Sequence, residues 1–309
     1  MTKDILIGTA TQIGPIHITP LMWQDMSKKK YGAPPLSSYI RVSELDDDEG
    51  PRVQDIYIEN LSSDDLFLPS GWVVSGNLLQ TRILDFDEFI SAGSAKVVSV
   101  SCVEKGRWSG GVNPLDGGRA PISVSVAGWN FEQRSKDWQM NESRRQSSVW
   151  QQVTKQETRN GERSTNSLMQ VMSEDSNREG KIQELHEKLD KDYAPMYGQN
   201  GVLVSIAGKP LMMEFYSHEA VAQRIIQETL KALTFDVENE LLANDQDVRA
   251  SDFIVRSGLD DLHFLRDEDW AVLMAGGDEE IDVKASLDSE SKFVHLSVIN
   301  RNHPVLLGA

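Results

Sequence analysis

The sequence predicts an α+β protein with an antiparallel β-sheet or sandwich core, a helical cover and a small acidic C-terminal module that contains β-structure. Three observations support this fold class. Short runs between residues 53 and 128 alternate apolar and polar residues, which is the period of a half-buried strand. Polar, helix-forming residues dominate 130–200, and acidic residues accumulate after residue 236. We therefore expect two domains, 1–235 and 236–309.

Strands are predicted first along the chain. The apolar piece 13–21 contains two prolines, which favours an edge strand or an extended arm. Residues 53–60, 66–74 and 78–90 form further β-like runs. Two alternating runs, 98–102 and 122–126, then frame a loop that is rich in glycine, at Gly106, Gly110, Gly111, Gly117 and Gly118.

Helical periodicity follows the β-rich part. Residues 149–153 mark one helix face, and residues 164–172 begin another helical piece. An apolar stripe then predicts a helix that Pro195 ends, with Ile182, Leu185 and Leu189 on its buried side.

The next elements are a hairpin and a helix. Residues 202–215 predict a hairpin that turns at Gly208-Lys209. Ser217 is the expected N-cap of the helix that follows. Its predicted buried face comprises Val221, Ile225, Ile226, Thr229, Leu230 and Leu233.

The C-terminal segment is strongly acidic. Residues 236–290 carry a net charge of −13 out of −17 for the whole chain, whereas 96–145 carry +3. Residues 248–259 are predicted to be helical, and 270–299 to form a three-stranded meander. The acidic surface disfavours duplex nucleic acid and offers a surface for a protein partner through 236–290.

Composition excludes several classes of site. A single cysteine excludes an internal disulfide framework and a multi-cysteine zinc site. There is no P-loop, dinucleotide fingerprint or HExxH motif, and neither acidic cluster has calcium-loop spacing. No metal or cofactor is therefore predicted. No signal peptide or membrane span is recognisable, so we expect a cytoplasmic protein with no membrane contact.

Two groups of residues are candidates for ligand contacts. At the end of the first alternating run, Cys102 shares the apolar face, and Glu104, Arg107 and Trp108 follow it into the glycine loop. Glycine amides and an arginine fork suit phosphate, and a tryptophan suits stacking on a base. Gln80 and Arg82 alternate with apolar residues in another run and would need polar partners if they were buried. Glu104 and Cys102 are the candidates for catalysis, although nothing in the pattern decides whether the protein is an enzyme.

A different interpretation comes from the aromatic residues. Four tryptophans between residues 108 and 150 alternate with basic residues, among them Arg144 and Arg145. Aromatic residues interleaved with cations are typical of surfaces that bind single-stranded nucleic acid. A core of large aromatics crossed by arginines explains the same pattern.

The segment 101–108, Ser-Cys-Val-Glu-Lys-Gly-Arg-Trp, resembles the ADP-ribosylglycohydrolase- and rhodanese-phosphatase-associated protein domain, an uncharacterised prokaryotic family. Upstream, Gln80 and Arg82 match the family pattern, while Thr81 replaces an asparagine and Gly71-Trp72 replaces Gly-Glu. Further matches follow at 146–150, 164–165 and 201–215. The resemblance spans 13–235 and leaves the acidic tail outside it.

The resemblance implies a context of ADP-ribose- and NAD-linked systems, including stress or defence. It therefore implies a domain that binds or processes nucleotides of this type, with a ligand contacted by Gln80, Arg82, Glu104, Arg107 and Trp108. The alternatives are an interaction module that uses the acidic segment without catalysis and a protein that binds single-stranded nucleic acid.

Overall fold

The computed structural model describes residues 5–34, 39–47, 50–75, 78, 80–105, 118–127, 142–159, 166–172, 179–237, 253, 262–278 and 280–307. The strands in these ranges pair antiparallel with one another. Together with the helices they confirm the predicted α+β class. No helix within the described ranges has the length and apolarity needed to cross a membrane.

The strands are β1 (Ile5–Ile7), β2 (Thr11–Ile13), β3 (Ile16–Trp23), β4 (Ile40–Asp47), β5 (Gly50–Asn60), β6 (Leu66–Leu68), β7 (Val73–Val74), β8 (Arg82–Leu84), β9 (Glu88–Ile90), β10 (Ala95–Cys102), β11 (Gly201–Ile206), β12 (Lys209–Tyr216), β13 (His263–Asp267), β14 (Val272–Gly277), β15 (Ile281–Leu287) and β16 (Phe293–Asn300). The helices are α1 (Ile122–Ser125), α2 (Glu142–Arg159), α3 (Leu168–Met172), α4 (Glu179–Asp192), α5 (Glu219–Leu233) and α6 (Pro304–Leu307).

The chain forms two compact units. The terminal unit comprises 1–29 and 182–309, and the central unit comprises 30–181. This division differs from the boundary predicted after residue 235, because β12 before that point pairs with β16 after it. The acidic segment therefore adds strands to the sheet that contains the hairpin.

The terminal unit is built on a nine-stranded sheet in the order β1-β3-β11-β12-β16-β15-β14-β13, with β2 also pairing with β3. Because β3 has neighbours on both sides, the prediction of an edge strand or arm at 13–21 is wrong. Gly8 makes room for Pro20 inside the sheet, since a Cβ on Gly8 would lie 2.7 Å from the proline ring. The Gly8 N–H also donates to the Pro20 carbonyl at 2.9 Å.

The hairpin β11–β12 confirms the prediction for 202–215. The turn lies at Ala207-Gly208, one residue before the predicted Gly208-Lys209, because Lys209 already pairs with Ile206. Ala207 and Gly208 have φ of 51° and 77°, which a type I′ turn requires. Helix α5 buries the whole predicted apolar face and contacts both strands. It begins after His218 rather than after the predicted cap Ser217, and no side-chain hydrogen bond caps it.

Strands β14, β15 and β16 confirm the predicted meander. An additional strand that the pattern did not predict, β13, extends it at the edge of the sheet. The predicted helix at 248–259 lies outside the described residues except for Phe253.

The central unit contains a five-stranded sheet in the order β4-β5-β10-β8-β7 and a two-stranded sheet of β6 and β9. Helix α2 packs on β10, and α1 and α3 pack on α2. The apolar residues between them form one core cluster, which consists of Val73, Ile83, Val103, Ala120, Val124, Val149, Val153 and Leu168.

The predicted strand at 122–126 is wrong, because Ile122–Ser125 form helix α1. Alternation indicates a strand only when the polar positions face water, and here both serines are buried as well. The Ser125 hydroxyl donates to the carbonyls of Ala120 and Pro121. The Ser123 hydroxyl accepts from the Gln156 amide at 2.9 Å. Because both serines are buried and hydrogen-bonded, this short helix shows the same apolar–polar alternation in sequence as a half-buried strand.

Candidate functional site

Strand β10 changes neighbours along its length. Its first residues, 95–99, pair with β5, and its last, 100–102, pair with β8. Gln146 of α2 takes the place of a strand neighbour at Cys102, because its Oε1 accepts the Cys102 N–H and its Nε2 donates to the Cys102 carbonyl, both at 2.8 Å. These two bonds fix α2 on the end of β10.

Four of the predicted site residues meet at this end, and we call them the strand-end cluster: Gln80, Arg82, Cys102 and Glu104. Arg82 and Cys102 are register partners between β8 and β10. The Gln80 Nε2 donates to the Glu104 carbonyl at 3.4 Å. All four residues are at most 4% exposed, so the cluster is sealed by protein rather than open to water. The other two predicted contacts, Arg107 and Trp108, lie outside the described residues, as does most of the glycine loop.

Each of the three guanidinium nitrogens of Arg82 has a hydrogen-bond partner in the protein. Its guanidinium forms a two-pronged ion pair with Glu44, with distances of 3.0 and 2.9 Å. Its Nε donates to the Val53 carbonyl at 3.0 Å and its Nη1 to the Gln80 carbonyl at 2.9 Å. A buried charge with this many partners fixes β8 against β4 and β5, so its role in the described structure is positioning.

Glu104 is the carboxylate of the cluster. Its Oε2 accepts the Thr81 N–H at 2.9 Å, and its Oε1 accepts the Ser167 hydroxyl at 3.1 Å. A second buried carboxylate contacts the same serine, since Glu157 Oε1 accepts the Ser167 N–H at 3.3 Å. Two buried carboxylates from different elements therefore hold Ser167, one through its hydroxyl and one through its N–H.

Sequence reasoning missed Glu157 and the bonding role of Gln146. The signal was available in the helical period of α2. Positions 146, 149, 153 and 157 share one face, and Val149 and Val153 define that face as buried. A glutamine and a glutamate on an apolar helix face need polar partners inside the protein, and here they find them at Cys102 and Ser167.

The Cys102 side chain confirms its predicted place on the core face, with no exposed surface. Burial is the main cause that raises the pKa of the thiol above its usual value. The thiol donates to the Glu104 carbonyl at 3.3 Å. Because the thiolate is the reactive form, this environment favours packing and hydrogen bonding over nucleophilic attack.

Gln80 differs from the other members of the cluster. Its Nε2 has a partner, but its Oε1 is buried and has no hydrogen-bond partner among the described residues. An amide oxygen in this position can accept a hydrogen bond from a hydroxyl or amine that approaches the cluster.

A second buried ion pair lies beside the cluster. Arg145 of α2 contacts Asp85 at 2.9 Å, and the carboxylate also accepts from the hydroxyls of Ser99 and Ser101. Arg145 is therefore not at the surface where binding of single-stranded nucleic acid would need it. The neighbouring Arg144 is exposed, and Lys105 lies over the ring of Trp150 at 5.3 Å. The remaining tryptophans of that prediction lie outside the described residues.

One protein family matches the chain over residues 4–299, the ARG and Rhodanese-Phosphatase-superfamily-associated Protein domain, ARPP-1. The chain belongs to this family. The family identified from the sequence is thereby confirmed, while the ADP-ribosylglycohydrolase in its name rests on the sequence resemblance alone. The ARPP-1 match continues well beyond residue 235, so the prediction that the acidic tail lies outside the family is wrong. No curated protein and no solved structure matches the chain.

Proposed function

We propose that this ARPP-1 domain binds or processes ADP-ribose- or NAD-like nucleotides at the strand-end cluster, and that the cluster opens to admit the ligand, because its four residues are at most 4% exposed. The observation that carries the proposal is the buried Oε1 of Gln80, which has no hydrogen-bond partner among the described residues. An unsatisfied buried acceptor costs about 1–3 kcal/mol. A buried polar group without a partner needs an explanation, and a functional site is one such explanation.

The chemistry of the cluster fits part of a nucleotide. Ribose hydroxyls and the amino group of adenine are hydrogen-bond donors, and Gln80 and Glu104 offer acceptors. Arg107 and the glycine amides would hold the phosphates, and Trp108 would stack on the base. Arg82 would position Gln80 through the Gln80 carbonyl rather than contact the ligand itself.

If the domain breaks a bond, Glu104 is the candidate for taking a proton from water. The Thr81 N–H and the Ser167 hydroxyl each bond a different oxygen of its carboxylate, which fixes its orientation. A general base must first be positioned within hydrogen-bond reach of the proton that it removes; its pKa decides the rate only after that. The family description adds context only, because it names ARG as an associated protein and the reading of ARG as ADP-ribosylglycohydrolase rests on the sequence resemblance.

Thermal unfolding with and without ligand tests the proposal. ADP-ribose, NAD, AMP and inorganic pyrophosphate would be added separately to the full chain, since a ligand that binds only the folded state raises Tm by mass action. We expect ADP-ribose or NAD to raise Tm and pyrophosphate to raise it less. Arg107→Ala should weaken the shift. No shift with any of the four probes would refute the proposal.

Processing is measured separately, by chromatography of NAD and ADP-ribose after incubation with the protein. We expect turnover to disappear in Glu104→Gln while the Tm shift persists. Turnover that survives this change would exclude Glu104 as the base and leave the binding proposal untouched.

A protein partner of the acidic segment is a second proposal, supported by the position of β13. This strand lies at one end of the nine-stranded sheet, and its Phe264 side chain is 58% exposed. Edge strands accept further strands from partners. Deleting 236–309 would also remove β16 from the sheet, so the test is pull-down with Phe264→Glu in the full chain. Unchanged capture of partners would count against this surface.

A further inference from the structure

The outer face of the central unit's sheet is unusually apolar at one end. Three strands form this surface, which we call the open face. Register pairs Val97 of β10 with Tyr57 of β5, and Tyr57 with Ser43 of β4. One step along, Arg41 lies opposite Glu59. One step further, the Leu61 N–H donates to the Tyr39 carbonyl at 2.7 Å, which continues the same alignment.

Alternation places these residues on one side of the sheet. Residues 57, 59 and 61 share a face, and so do 39, 41 and 43, because side chains two residues apart point the same way. Their neighbours Ile56, Ile58 and Val42 are buried on the other side. The open face therefore consists of two apolar rows, Tyr57–Val97 and Tyr39–Leu61, with the Arg41–Glu59 row between them.

The exposure of this surface is what distinguishes it. Tyr39, Tyr57, Leu61 and Val97 are each 39–52% exposed. Single exposed apolar residues are ordinary, but several exposed apolar side chains grouped on one face of a sheet indicate an interaction surface. The Arg41–Glu59 pair is also at the surface, with the carboxylate 2.7 Å from the guanidinium.

We propose that the open face packs against the open face of a second copy of this chain. The Arg41–Glu59 pair is the observation that favours a second copy as the partner. A two-fold axis that runs along the strands between β4 and β5 brings Arg41 opposite Glu59 of the second copy, and Glu59 opposite its Arg41. The same axis brings Tyr39 opposite Leu61 of the second copy. Self-complementarity of this kind is what a symmetric dimer interface needs.

The geometry of sheet packing agrees with this arrangement. Two sheets pack face to face about 10 Å apart when their side chains interdigitate. The two tyrosines supply large, rigid side chains, and aromatic residues are enriched in the centre of interfaces. The ion pairs of the two copies would join into a four-charge network, which is stronger than one isolated exposed pair.

Analytical ultracentrifugation of the full chain over a wide concentration range tests the proposal. We expect a reversible dimer in the wild type. Tyr57→Glu should raise the dimer Kd at least about tenfold, because it buries an unpaired charge in the interface, opposite Ser43 of the second copy. Tyr197→Glu is the matched control, since it makes the same change at a tyrosine of the other unit that is 93% exposed, and it should leave the Kd unchanged. A wild type that stays monomeric, or a dimer indifferent to Tyr57→Glu, would overturn the proposal.

A mixing experiment tests the pairing itself. Arg41→Glu makes an acidic open face and Glu59→Arg a basic one, so each variant alone should be monomeric. Mixed in equal amounts, they should form a heterodimer at least as tight as the wild-type dimer. Circular dichroism and Tm of each variant check that both are folded. Folded variants that each still dimerise alone, or that fail to associate when mixed, would contradict the proposed axis.

Discussion

The two ends of strand β10 differ in the kind of side chain that is buried and the kind that is exposed. At its C-terminal end, Arg82 and Glu104 lie buried beside the strand among hydrogen bonds and an ion pair. At its N-terminal end, Val97 lies exposed beside Tyr57. Soluble proteins usually bury apolar groups and expose charges, so each end inverts the usual arrangement. Such inversions carry more information about function than ordinary packing does.

The inversion has a different physical cost at each end. A buried charge is stable only while its partners remain, so the C-terminal end should be sensitive to the loss of one hydrogen-bonding group. An exposed apolar side chain costs little in an isolated chain. The N-terminal end should therefore tolerate substitution in folding and respond only in association.

The largest effect is expected for Arg82→Met. It leaves Glu44 without its cation and removes four hydrogen bonds, so we expect a loss of about 3–5 kcal/mol in the free energy of unfolding. Arg41→Met removes the exposed ion pair at the other end and should cost at most about 1 kcal/mol. Urea denaturation of both variants measures the difference. Similar losses in the two variants would show that the two ends do not differ.

Gln146→Leu should come next. It leaves the N–H and the carbonyl of Cys102 without partners, so we expect a loss of about 2–4 kcal/mol. Gln151→Leu changes the same residue type on the exposed side of α2 and should stay within about 0.5 kcal/mol of the wild type. Urea denaturation again gives both values. A small loss for Gln146→Leu would mean that water replaces the amide at the sheet edge.

The Cys102 thiol gives a smaller, pH-dependent effect. Burial raises its pKa in the folded protein, so the unfolded thiol ionises first as the pH rises. The stabilisation is complete below about pH 8.5 and is lost as the pH rises above it, at no more than about 1.4 kcal/mol per pH unit. Comparing wild type with Cys102→Ala from pH 7 to pH 10 isolates this contribution. Identical pH profiles would contradict the assignment.

The smallest effect on stability is expected at the open face. Tyr57→Ser should change the unfolding free energy of the monomer by no more than about 1 kcal/mol, because the residue keeps 39% of its surface exposed. Thermal unfolding at concentrations below the dimer Kd measures this. A loss of several kcal/mol would show that the ring stabilises the central unit itself.

Local patterns predicted much of the fold. The hairpin β11–β12, the buried face of α5 and the meander β14–β16 follow from alternation, helical period and turn residues. The errors arose where contacts with residues distant in sequence, rather than the local sequence pattern, determine the secondary structure. The serines at 123 and 125 satisfy their hydroxyls inside the protein, so a helix imitates a strand. The strand at 16–23 accepts Pro20 because Gly8, twelve residues away, makes room for it.

The candidate site was predicted in part for the same reason. The approach of Gln80 and Arg82 to Cys102 and Glu104 was expected from polar residues within apolar runs. Their partners were not, because Glu44 and Ser167 are distant in sequence and reach the cluster only through sheet pairing and a β-bridge. Burial of the cluster also depends on packing that no local pattern reports.

The most direct test of the central claim is calorimetric titration of ADP-ribose into wild type, Gln80→Leu and Gln151→Leu. Leucine at position 80 removes the unpaired buried oxygen, so folding stability should stay within about 1 kcal/mol of the wild type or rise. We expect ADP-ribose binding to be lost in Gln80→Leu and retained in the other two proteins. Equal affinity in all three would show that the strand-end cluster is not where the nucleotide binds.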